Sequence, residues 1–266
     1  MAANVYFELT RAFNARRPTA VLASGQAVVY HRVAIMSKDG DWILVESADA
    51  CAEVLDVLAA RGARYRPGAP LDARWLAGGW SSHFEFADER GRRVRCDFFT
   101  RPPRVSRQAI ERLFAAQADP LRVIDVETLI RMKQTQRAKD YAVIGELAAR
   151  LPPDREIELT TDPDRLLALS PRVGVASNRA AVQAAARGDR NATVVALALE
   201  ADSLQQADRR RLAAYAAAAE PFLRGFAGLS LAQRQLPDGH ALVCELAEHT
   251  LPTRVSPPEG DGADAQ

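Results

Sequence analysis

The run Met36-Ser37-Lys38-Asp39-Gly40-Asp41-Trp42-Ile43-Leu44-Val45 holds the residues best suited to chemistry in this chain. On a strand, residues two positions apart point to the same face, so Asp39 and Asp41 converge there. Two convergent carboxylates offer hard oxygen donors, which suit a cation such as Mg²⁺ and the phosphates it binds. The same letters also spell a hairpin, because Asp-Gly between apolar runs is a strong turn signal. The two readings predict opposite outcomes: a shared face, or two aspartates splayed at a tip.

A second signal lies further on. From Val126 to about Arg150 a long helix is expected, capped by Asp125, with Val126, Leu129, Ile130, Ile144 and Leu147 on one stripe. Lys133, Arg137 and Asp140 fall on that same stripe at spacings of four and three. Charges on a core-facing stripe are costly unless they are paired or serve a ligand. One reading is a buried Arg137–Asp140 salt bridge with Lys133 reaching solvent. The other is a lysine aimed at phosphate in a cleft and held by its neighbours.

Other constellations are thinner. His240 and Cys244, four apart with His249 nearby, could share a helix face and bind zinc, but no fourth ligand is evident. Asp208-Arg209-Arg210-Arg211 reads as a solvated helix face rather than a nucleic-acid patch, although an RNA acceptor could use it. Gly78-Gly79-Trp80-Ser81-Ser82 lacks the strand–glycine–helix order of a phosphate loop. His31 reads as a structural histidine.

The elements that must position these residues follow from pattern. Residues 4–14 read as a short helix with Tyr6, Leu9 and Phe13 at helical spacing, and Ala20 to Ala23 as a brief strand ended by Ser24-Gly25. Gln26 to Val33 is compatible with helix or strand, and Asp41 to Glu46 is a strand. Ser47 opens a helix to about Ala60, closed by Gly62. Residues 82–88 and 93–99 form a hairpin around Asp88-Glu89-Arg90-Gly91, and Ser106 caps a helix over 107–117. Pro152-Pro153-Asp154 marks a boundary. Beyond it alanine dominates, and helices are expected near 163–169, 177–187, 205–226 and 240–248. Three segments are thus expected: residues 1–152, a helical domain over 153–254, and a disordered tail over 255–266.

Composition bounds the function classes. With 266 residues, 48% of them hydrophobic, the chain can build one large core or two modest ones. The balance of 35 Lys and Arg against 34 Asp and Glu demands neither nucleic acid nor a membrane surface. Three cysteines, an odd and sparse set, argue against a disulfide scaffold and point to a reducing cytoplasm. No apolar run approaches the roughly 20 residues of a membrane span. The first residues lack the basic and apolar regions of a signal peptide.

In sequence order these motifs resemble polymerase-β-type nucleotidyltransferases, specifically the small bacterial branch of abortive-infection and toxin–antitoxin enzymes. The resemblance covers roughly residues 4–150. It runs through Val21-Leu22-Ala23-Ser24-Gly25-Gln26-Ala27, Tyr30-His31 and Ser37-Lys38-Asp39-Gly40-Asp41. It continues with Arg95-Cys96-Asp97-Phe98-Phe99, Leu129-Ile130-Arg131-Met132-Lys133 and Arg137-Ala138-Lys139-Asp140. Three positions depart from the family pattern. Ser24-Gly25 stands for Gly-Gly or Gly-Ser, Gly40 for an apolar strand residue, and Ile35 for an arginine.

The resemblance implies an α/β (α+β) nucleotidyltransferase-like domain with a small mixed sheet, followed by a mostly α-helical domain. It implies transfer of a nucleotide from an NTP to an acceptor that is RNA, protein or a small molecule, with Mg²⁺ or Mn²⁺ as cofactor. Asp39 and Asp41 are expected to bind the metal at the triphosphate, and Asp97 to complete a second metal site. Ser24 and Gly25 are expected at the phosphates, with Ser37 orienting the Asp39 loop. Lys133, with Arg137 and Asp140 beside it, is expected to neutralise the departing pyrophosphate. A cognate partner protein belongs to the same expectation. The rival is a catalytically degenerate version of the fold, acting as a binding or regulatory module.

Overall fold

The computed structural model describes residues 4–115, 119–173 and 177–255. The chain forms two compact units, Met1–Ile124 with Leu212–Gln266, and Asp125–Arg211.

The first unit carries α1 (Val5–Phe13), β1 (Ala20–Ala23), α2 (Ser24–Tyr30), β2 (Asp39–Leu44) and α3 (Ala48–Ala59). It continues with β3 (Arg64–Arg66), α4 (Ala73–Leu76), β4 (Ser82–Ala87), β5 (Arg93–Phe99) and α5 (Arg107–Ala115). Local chemistry accounts for most boundaries. The Asn4 side chain accepts from Tyr6 N, and the Ser47 hydroxyl accepts from Ala50 N at 3.1 Å, so each caps a helix. The Ser106 hydroxyl does the same for Ala109 N. Asp88 accepts from the Arg90 and Arg92 amides, and Gly91 takes φ +71°, which closes the β4–β5 hairpin.

The strands form one five-stranded mixed sheet in the order β1-β2-β5-β4-β3. Among these five strands β2 and β5 pair in parallel and the other pairings are antiparallel, with a further parallel bridge from Leu22 to Val123. Alternation sorts the side chains of β2 to β5 by face. Trp42, Tyr65, Phe84, Phe86 and Phe98 are buried on one face. Trp42 stacks on Phe98 with ring centroids 5.3 Å apart, and Phe13 of α1 meets both edge-on. The opposite face holds Asp39, Asp41, His83, Glu85, Arg95, Asp97 and Arg66.

The Ile124 amide bonds to Leu22 O, and the Leu22 amide to Arg122 O, each at 2.9 Å, extending the sheet beside β1. The His31 ring bonds Ile124 O at 2.8 Å, so this histidine is structurally satisfied. Farther along, α12 (Leu236–Thr250) also belongs to this unit. Its His240 takes a 2.7 Å bond with the Tyr65 hydroxyl, and Cys244 Sγ lies 3.6 Å from the same ring. Burial lowers the His240 pKa and raises that of Cys244 to about 11. Tyr65 occupies Nδ1 of His240, and among the described residues no three His, Cys, Asp or Glu side chains group with this pair to hold a metal ion.

The second unit holds α6 (Val126–Lys133), α7 (Lys139–Ala148), α8 (Pro153–Leu159), α9 (Pro163–Val173) and α10 (Ala180–Ala186). The residues of α11 (Arg190–Phe226) up to Arg211 complete it. Its core includes Ile157, Leu166, Leu169, Ala181, Val182 and Ala185. The expected mixed sheet followed by a helical C-terminal part is the observed fold class. The composition shift at Pro152-Pro153 marks the start of α8 inside the second unit. The expected tail lies almost wholly outside the described residues.

The single long helix expected over 126–150 is not formed. It breaks between Lys133 and Lys139. Polar side chains capture the amides that a continuous helix would use. Asp208 accepts from Gln136 N at 3.0 Å, and the Thr135 hydroxyl accepts from Arg137 N at 3.2 Å. The apolar stripe continues across the break, which is why periodicity alone reads one helix.

Gly40 has a packing reason. A Cβ there would lie 2.4 Å from Tyr6 Cδ1 and 2.4 Å from Trp42 Cη2. Gly40→Ala is therefore expected to cost about 1–3 kcal/mol by overpacking. Chemical denaturation reads this as a lower midpoint, and an unchanged midpoint would show that the rings can move aside.

Candidate functional site

Asp39-Gly40-Asp41 is strand, and the turn reading is overturned. Gly40 is buried and pairs with Cys96, while Asp39 and Asp41 share the polar face. The register then aligns charges from strands distant in sequence. Asp41 pairs with Asp97, Asp97 with His83, and His83 with Arg66. A second row runs Asp39, Arg95, Glu85, Arg64. Neighbours in a row stand about 4.8 Å apart, one strand spacing.

The first row is tied at Asp97. Arg66 Nη1 donates to Asp97 Oδ1 at 3.1 Å, and His83 Nδ1 lies 2.8 Å from the same oxygen. Arg66 Nε also lies 3.8 Å from Glu85, which Arg93 binds at 2.6 Å. The second row is slack at Asp39. Arg95 Nη1 stands 3.5 Å from Asp39 Oδ1. That buried oxygen and the buried Arg95 Nε have no hydrogen-bond partner among the described residues. Unsatisfied buried polar atoms are uncommon and ask for a partner.

The approach to Asp39 is built by three anchors. The Ser37 hydroxyl lies 3.4 Å from Asp39 O, Gln26 Nε2 donates to Ser37 O at 2.9 Å, and the Tyr6 hydroxyl donates to Lys38 O at 2.6 Å. Burial, then nearby negative groups including Asp39, pushes the Tyr6 phenol up to about 12, so it remains a donor at ordinary pH. Ser24 opens α2 with φ +48°, a left-handed conformation costly for a residue other than glycine. Gly25 follows, and a Cβ there would lie 2.2 Å from Ser37 Oγ. Ala23, just before them, pairs with Asp41, so Ser24, Gly25, Ser37, Asp39, Asp41 and Asp97 belong to one region. A cavity of about 790 Å³ opens beside Asp39, with Tyr6, Met36, Lys38 and Arg95 in its wall.

Lys133, Arg137 and Asp140 belong to the second unit and form a cluster of their own. Arg137 grips Asp140 with two bonds, at 2.7 and 2.9 Å, and the Thr135 hydroxyl adds a third at 3.0 Å. Lys133 does not reach solvent. Its side chain is 7% exposed, with Nζ 3.6 Å from the 6% exposed Asp140 carboxylate. Burial works against ionisation of Asp140. The Arg137 bonds, the two cationic charges and the Thr135 hydroxyl outweigh it and hold the carboxyl below its ordinary value. A separate cavity of about 720 Å³ in this unit has Tyr141, Glu146, Asp162 and Glu200 in its wall and none of the expected site residues.

The sequence reading missed Arg66, His83, Glu85 and Arg95. Alternation in His83-Phe84-Glu85-Phe86 could have assigned two of them to the polar face. Arg66 had no such signal, because β3 is only three residues long.

Mg²⁺ is implied by the family resemblance, and the donor chemistry of Asp39 and Asp41 fits it. Among the described residues no three His, Cys, Asp or Glu side chains are grouped to hold a metal ion. Mg²⁺ does not need such a cage, since one or two carboxylates with substrate phosphates and water commonly suffice. Asp97 differs from the other two, because its Oδ1 is already engaged from two sides.

Among the described residues no helix is long and apolar enough to cross a membrane. No family model matches this chain, and no curated protein matches it. Two solved structures from H. pylori are similar to it. One, a protein provisionally described as a nucleotidyltransferase, is 13% identical, with 77% of this chain and 95% of its own covered, at a TM-score of 0.36. The other, JHP933, is 12% identical, with 80% and 94% covered, also at 0.36. A likeness of that extent fixes neither activity nor ligand.

Proposed function

We propose that this chain is a nucleotidyltransferase that takes a nucleotide from an NTP at the Asp39–Asp41 face of its sheet. One observation carries the reading: Asp39, Asp41 and Asp97 share a face on two adjacent parallel strands. The slack contact at Asp39 supports it, since a carboxylate oxygen without a hydrogen bond has capacity for a cation. Asp39 and Asp41 would hold Mg²⁺, which when bound stabilises charge on the triphosphate. Ser37 orients the Asp39 strand entry, and Tyr6 fixes the backbone at Lys38. Ser24 and Gly25 stay with the phosphates in this reading. The acceptor (RNA, protein or a small molecule) and a cognate partner follow the sequence resemblance.

A second reading, a binding module of the same fold, is favoured by one feature. Asp39 and Asp97 each face an arginine of the chain itself. Labelled NTPs with Mg²⁺ or Mn²⁺, offered with cell RNA, protein and metabolites, separate the two. The enzyme reading expects label on one acceptor class. Nucleotide binding with no transfer to any class would select the module instead.

A further inference from the structure

We infer that Arg66 stands where a second divalent ion would act, so that this site takes a single metal ion. The inference rests on the nucleotide-binding reading of the Asp39–Asp41 face and goes further, because it assigns a role to a residue outside the family motifs.

The two halves of the acidic face differ in how their charge is met. At Asp97, two donors from two other strands converge on one oxygen, Arg66 at 3.1 Å and His83 at 2.8 Å. The guanidinium is held again by Glu85 on its far side. It is permanently charged, so the compensation persists at all ordinary pH values. At Asp39 the arginine contact is 3.5 Å and leaves two buried polar atoms without hydrogen bonds among the described residues. A cation entering at Asp39 gives a slack carboxylate a closer partner. An arginine stands beside each carboxylate, but a cation taking Oδ1 of Asp97 must displace two hydrogen bonds, whereas at Asp39 it meets only the 3.5 Å contact. Paired catalytic ions require carboxylates shared between centres about 3.5–4 Å apart. The oxygen of Asp97 nearest Arg66 is not available for that sharing.

Counting bound Mn²⁺ tests this without any turnover. The full chain is titrated with Mn²⁺ in the presence of one equivalent of an α,β-methylene NTP analogue, and free Mn²⁺ is read by electron paramagnetic resonance. The expected result is one ion per chain in the wild type, an unchanged count in Asp97→Asn, and a second ion in Arg66→Gln. Circular dichroism checks that both variants fold. Two ions in the wild type, a changed count in Asp97→Asn, or a single ion in Arg66→Gln each overturns the inference while nucleotide binding stands. A wild type that binds neither Mn²⁺ nor the analogue overturns the nucleotidyltransferase reading along with it.

Discussion

Asp39→Ala is expected to lower nucleotide transfer at least about a hundredfold, the scale on which losing one electrostatic stabiliser acts. The fold should survive. The Asp39 side chain is 40% exposed at the entry to β2, and among the described residues its ion pair is the 3.5 Å contact with Arg95. Removing it deletes an oxygen donor from the face where the proposed function stabilises charge on the triphosphate. It also frees Arg95, whose guanidinium would then repel the incoming cation. Both effects act in the same direction. Labelled-nucleotide transfer measures the first quantity and a thermal melt the second. Unchanged turnover in a well-folded variant would sink the assignment.

Asp140→Asn is expected to destabilise the protein by about 3–5 kcal/mol, the usual cost of removing one partner from a buried charge pair. Lys133 has its side chain 7% exposed and loses the carboxylate 3.6 Å away. The penalty is chiefly that of a buried ammonium losing the Asp140 charge, so replacing both residues with apolar ones should recover part of it. The same cluster sets a pH dependence. The folded Asp140 carboxyl titrates below its ordinary value, so its contribution is fully present above the unfolded pKa near ~3.9. It is lost as pH falls from there through the lower folded value. Denaturant midpoints measured from neutral pH down to about pH 3 should fall more steeply in the wild type than in Asp140→Asn. Parallel curves would show that Asp140 does not drive the acid loss.

Much of the fold was legible because its causes are local. Asn4, Ser47, Ser106 and Asp125 cap helices through bonds that reach only two or three residues ahead. The β4–β5 hairpin shows in its alternation and in Gly91. Other features have distant causes. Arg64-Tyr65-Arg66 is a strand only because it pairs with His83 to Glu85. The break after Lys133 depends in part on Asp208, 72 residues away. Asp-Gly-Asp fits a turn and a strand equally well by its letters. Packing decided between them, since Tyr6 and Trp42 occupy the space beside Gly40.

The order of residues alone names the groups a site here can use: three carboxylates, two of them two residues apart, and a third set in an alternating strand. It also places Lys133, Arg137 and Asp140 on one face among apolar residues, where charges must be paired or serve a ligand; the structure pairs them. What each carboxylate faces depends on the folded sheet. Asp97 meets Arg66 and His83, and Asp39 meets Arg95, because strand register brings together residues from separate segments. Register is set by hydrogen bonds and side-chain packing between strands far apart along the chain. For that reason, the partner of each carboxylate was not written in any local motif.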